Sequence, residues 1–65
     1  MAKRRNYTVD APAGHLNLRE EPSLTAKIMA LLPTGSKIKI DPNAKTPDEW
    51  RALESGGYVM ARFLK

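Results

Sequence analysis

The pattern of this chain predicts an all-β fold, a small barrel of five or six short strands. Three observations lead there. Apolar and polar residues alternate with a period of two, most clearly in Leu16-Asn17-Leu18-Arg19 and Lys37-Ile38-Lys39-Ile40, the mark of half-buried strands. Gly and Pro punctuate the chain between such runs, at Pro12 and Gly14, Pro22, Pro33 and Gly35, and Gly56 and Gly57. The 65 residues make one domain, and at that size closure into a barrel removes edges that a lone sheet would expose.

Each element follows in chain order. Residues 1–5 include Lys3-Arg4-Arg5 and read as a disordered basic arm, with the barrel occupying residues 6–65. Tyr7-Thr8-Val9 is aromatic and β-branched, a first short strand. Residues 10–14 are turn chemistry. In the next strand Leu16 and Leu18 face inward while Asn17 and Arg19 face out. Pro22 has no N–H for a ladder and biases Glu21 to extended backbone, so the strand stops there, with Ser23 holding the turn. Residues 27–32 are short and flanked by Pro33-Thr34-Gly35, which favours a strand with Ile28, Ala30 and Leu32 on one face. Residues 37–40 follow after a Gly-containing turn, so the two are expected to form a hairpin. Residues 41–49 form a polar loop with two prolines. Residues 50–53 and 58–60 are strands joined by Ser55-Gly56-Gly57. Residues 61–64 close the chain as a single 3₁₀ turn.

A core this small buries about 60% of the surface of the unfolded chain and supplies roughly 3–5 kcal/mol. The sequence has no cysteine, so neither a disulfide nor a thiolate metal site staples it. Eleven Lys and Arg against seven Asp and Glu leave a charge of +4, which favours polyanions or simply solubility. No run approaches the roughly 18 apolar residues of a membrane span, and no apolar stretch follows the basic start to make a signal peptide. The chain therefore reads as cytoplasmic if complete, and as a cell-wall or extracellular domain if cut from an exported parent.

Catalytic chemistry is not expected. His15 is the only histidine, and Ser23, Ser36 and Ser55 each sit in a turn. Glu20 and Glu21 are adjacent on extended chain and point to opposite faces, so they cannot flank one bond. Gly56-Gly57 lies between strands rather than before a helix, so it is no phosphate loop. One histidine does not make a metal site, and nothing asks for a cofactor.

The ordered set Leu16-Asn17-Leu18-Arg19-x-x-Pro22-Ser23, Lys27-Ile28-Met29, Leu32, Gly35, Ile38 and Ile40, then Trp50-x-x-Leu53 and Gly57-Tyr58-Val59-Met60-x-x-Phe63-Leu64, resembles the bacterial SH3 domain, the SH3b family, from about residue 7 to residue 64. The resemblance implies a five- to six-stranded, partly open SH3-like barrel. It also implies a non-catalytic module attached to or acting beside bacterial cell-wall hydrolases, some members of which bind wall peptides.

With Leu53 and Val59 taken as core, Trp50 lies on the opposite face of an unbulged strand. Tyr58 also points away from the core, and Phe63 is expected to point away from Leu64. An aromatic-lined groove formed by Trp50, Tyr58 and Phe63, with Asn17 and Arg19 as its polar wall, is the expected binding site for a peptide or peptidoglycan fragment. Trp50 as a plug on the barrel rim, and Arg19 in an ion pair with Glu20, Glu21 or Asp10, are the plainer readings. Lys27, Lys37 and Lys39 form a second, basic surface for polyanions. The alternative function is a protein- or nucleic-acid-binding adaptor, intracellular or phage-encoded. Open edges also allow a weak or strand-swapped dimer beside the monomer.

Overall fold

The computed structural model describes residues 4–65. Among them six strands form: β1 (Asn6–Thr8), β2 (His15–Arg19), β3 (Ile28–Pro33), β4 (Lys37–Lys39), β5 (Trp50–Ala52) and β6 (Tyr58–Met60). A 3₁₀ turn, Ala61–Phe63, follows. The fold is all-β, built from two antiparallel sheets. One is the pair β1-β4; the other has the order β3-β2-β6-β5.

Two isolated bridges tie the sheets together. Val9, just past β1, pairs with Leu64, and Ile40, just past β4, pairs with Leu53. Each is supported by main-chain bonds. Asp10 N–H donates to Phe63 O at 2.7 Å, and Asp41 N–H to Ala52 O at 2.8 Å.

The β5–β6 hairpin forms as expected, with Trp50 opposite Met60, Arg51 opposite Val59 and Ala52 opposite Tyr58. Gly57, in its turn, has φ +89°, and a Cβ there would lie 2.6 Å from Leu18 Cδ1 and 2.8 Å from Met29 Cε. The positive φ favours glycine, and any side chain there would also have to displace the ends of Leu18 and Met29.

The hairpin expected between residues 27–32 and 37–40 does not form. β3 pairs with β2 and β4 with β1. The reason is competition from Val9. Gly35 N–H donates to Val9 O at 2.8 Å and Val9 N–H to Ser36 O at 2.9 Å. Thr34 N–H meanwhile continues the β2–β3 ladder to Gly14 O at 2.9 Å. The turn at residues 33–36 therefore carries the chain from one sheet to the other.

The core is a cluster of Val9, Ala11, Leu16, Leu53 and Val59, with Leu18, Leu32, Ile38, Phe63 and Leu64 packed on it. Val9 and Val59 are fully buried, each contributing roughly 1.5–3 kcal/mol against exposure. Ile28 departs from the expected shared face with Ala30 and Leu32. A register shift between Leu18 and Arg19 sets Ile28 opposite Arg19, which inverts the alternation, and Ile28 stands exposed.

The basic arm expected over residues 1–5 lies partly outside the described residues. Arg4 stacks its guanidinium 4.3 Å from the Tyr7 ring centroid and donates from Nη2 to Lys65 O at 2.7 Å. Arg5 O accepts from Ile40 N–H at 2.8 Å, and Arg5 Nη1 stands 3.4 Å from Glu54 Oε2. Both arginines extend the β1 region instead of leaving it.

Candidate functional site

The site begins with the alternation of β2. Leu16 is buried in the core and Leu18 packs on it, so Asn17 and Arg19 fall on the other face, half-buried. Pairing then fixes their neighbours. Asn17 is opposite Leu31, and Arg19 is opposite both Ile28 and Tyr58. Directly opposed residues share a face, so Met60, two residues beyond Tyr58, is carried to this side as well.

A second wall comes from residues 11–13. The turn closes through Gly14 N–H donating to Ala11 O at 2.9 Å. Thr34 then holds it from across the fold: Ala11 N–H donates to Thr34 Oγ1 at 3.0 Å, and the same hydroxyl donates to Ala11 O at 2.9 Å. Between the walls lies a groove of about 330 Å³. Leu16, Met60 and Phe63, Pro12 and Ala13, and Asn17 and Arg19 are on its lining, with His15 and Leu24.

Among the described residues Arg19 is the only Lys, Arg, Asp or Glu on that lining. It does not form the ion pair that the sequence suggested. Its Nη1 donates to Ala26 O at 2.9 Å, which fixes the guanidinium to the turn after β2. Among the described residues its other N–H groups have no protein acceptor. Asp10, one suggested partner, pairs with Lys65 Nζ at 3.5 Å instead. An apolar trough with a fixed guanidinium and a carboxamide on its lining can take apolar groups and donate hydrogen bonds to a carbonyl or carboxylate.

The structure brings together three of the five expected site residues: Asn17, Arg19 and Phe63. The shared aromatic surface does not form. Trp50 does lie on the Tyr58 and Met60 side of the sheet, opposite Leu53, as the spacing requires. It is nevertheless only 6% exposed. The loop of residues 41–49 returns to β5 there: Thr46 Oγ1 donates to Trp50 O at 3.1 Å and Trp50 N–H to Pro47 O at 2.9 Å. Tyr58 is half-buried beside Arg19 but does not line the groove. Phe63 packs on the core as well as lining the groove, as does its neighbour Leu64 on the core. It does not simply point away.

Sequence reasoning did not assign seven of the lining residues to the site: Ala11, Pro12, Ala13, His15, Leu16, Leu24 and Met60. Met60 carried a signal, since it shares the parity of Tyr58. Residues 11–13 are held at the groove by Thr34 from across the fold, which no local pattern encodes.

The expected basic surface is divided. Lys37 and Lys39 stand exposed on β4, opposite Thr8 and Asn6, while exposed Lys27 precedes β3 in the other sheet. Glu54 shares a cleft with Lys37 and Lys39. Among the described residues no group of three or more His, Cys, Asp or Glu is placed to hold a metal ion. No helix among them is long and apolar enough to cross a membrane.

No family model, curated protein or solved structure matches the chain.

Proposed function

We propose that this chain is a non-catalytic binding module on an SH3-like, partly open barrel. Its ligand is a peptide or glycopeptide of the bacterial cell wall, held in the groove between β2, the turn at residues 11–13 and the closing 3₁₀ turn. The observation that carries the reading is that groove: apolar along its length, with Arg19 as its one fixed ion and Asn17 beside it. The ordered motifs from Leu16 to Leu64 supply the wall context. A hydrolase, either as partner or as the rest of a parent chain, fits the same reading.

Retention on purified peptidoglycan tests it. Asn17→Ala and Leu24→Ser change groove residues outside the core cluster, so each should keep the fold while losing retention about tenfold, or about 1.4 kcal/mol. Equal retention of wild type and both variants would remove the groove from the account. No retention of any of them would remove the wall.

The second reading is a nucleic-acid-binding adaptor. Lys37 and Lys39, exposed two residues apart on β4, support it. Binding to DNA or RNA that weakens steeply with salt and is lost in Lys37→Gln/Lys39→Gln would favour this reading over the first.

A further inference from the structure

Among the described residues, four large apolar side chains stand exposed: Leu24 (65%), Ile28 (45%), Met29 (47%) and Leu31 (57%). All lie on one stretch, the turn before β3 and β3 itself. β3 is also the one strand whose second edge takes no ladder or bridge partner among the described residues. β2 and β6 lie inside their sheet, Val9 bridges the β1 side to Leu64, and Ile40 and Leu53 join β4 to β5.

Backbone geometry says which groups face that edge. Thr34 N–H bonds Gly14 O, so these two form a hydrogen-bonded pair. In the same register so do Leu16 with Leu32 and Leu18 with Ala30, because such pairs recur at every second residue. Leu31, between them, turns both its N–H and its C=O away from β2. Glu20 N–H bonds Lys27 O at 2.9 Å. The two groups of a trans peptide point opposite ways, so Ile28 N–H faces the free edge too.

We propose that this edge pairs with β3 of a second copy of the chain, antiparallel about a two-fold axis at Leu31. Outward main-chain donors and acceptors flanked by apolar side chains are satisfied by another extended strand. Three features select an identical one. Residues 28–33 carry no charge, so two copies meet without like-charge repulsion, and antiparallel pairing sends the two Lys27 side chains to opposite ends. Leu31 at the axis donates once and accepts once, which is self-complementary. The edge is also bounded. Pro33 has no N–H to offer, and the register shift beside Arg19 ends the regular strand. With one free edge per chain, association stops at two. So short an interface gives a weak dimer, with a dissociation constant on the order of 0.1–1 mM. This inference does not rest on the groove.

Sedimentation velocity from about 10 μM to about 2 mM spans that range and should show monomer passing to dimer. Amide exchange should show protection of Leu31 N–H that rises with concentration. Leu31→Lys, at an exposed position, should weaken the dimer more than tenfold. Total synthesis with N-methyl-Leu31 removes only the outward N–H and should do the same. A chain that stays monomeric throughout the range overturns the proposal, even if the edge captures an unrelated extended peptide. So does a dimer that both variants leave intact.

Discussion

Trp50 and Phe63 mark two corners of the molecule that the sequence treats alike and the fold treats differently. Both are aromatic, both adjoin short strands late in the chain, and spacing directs both away from Leu53 and Leu64. At the Trp50 corner the loop of residues 41–49 folds back and bonds β5, and the indole is buried. At the Phe63 corner the turn at residues 11–13 is held apart by Thr34, and the ring faces an open groove. Strand parity decides which way a side chain leaves the sheet. Loops decide whether anything covers it.

Three substitutions sharpen that contrast. The largest effect belongs to the covered corner. Trp50→Ala should cost about 3–5 kcal/mol, comparable to the whole stability of a chain this size, and denaturant titration should find it largely unfolded. An exposed platform residue would lose well under 1 kcal/mol. Next, Gly57→Ala forces a side chain onto a positive φ and into Leu18 and Met29. A loss of about 2–3 kcal/mol is expected, read as a lower urea midpoint with an unchanged slope. Last, Thr34→Val keeps the shape but leaves Ala11 N–H without its acceptor. It should cost about 1–2 kcal/mol and speed amide exchange at Ala11, while the exchange of Trp50 N–H stays as it was. A change spread evenly over both corners would show that Thr34 does not act on the groove wall alone.

Much of this was legible locally. Period-two alternation placed Leu16 and Leu18 inward and Asn17 and Arg19 outward, because β2 lies between two partners and has a buried face. The Gly-containing turn gave the β5–β6 hairpin. The same turn logic failed between β3 and β4, where Val9, more than twenty residues upstream, takes the main-chain bonds the hairpin needed. Alternation also failed to describe β3, since an edge strand with a register shift leaves apolar side chains in solvent. For the groove, the β2 residues were readable from their own strand. Pro12, Ala13 and Leu24 were not, because the closing of the fold brings them there. Spacing gave Trp50 its face but left it between a plug on the rim and an exposed platform; it is buried, next to a polar loop that bonds its main chain and whose path no periodicity records.

The most direct measurement is a titration of ¹⁵N-labelled protein with soluble peptidoglycan stem-peptide fragments, followed by amide and side-chain shifts. Binding in the groove predicts saturable changes at Asn17, Arg19, Leu24, Met60 and Phe63, with Trp50 and the β4 lysines unmoved. Changes centred on Lys37 and Lys39, or no change at about 5 mM fragment, weaker than any millimolar affinity, would contradict it.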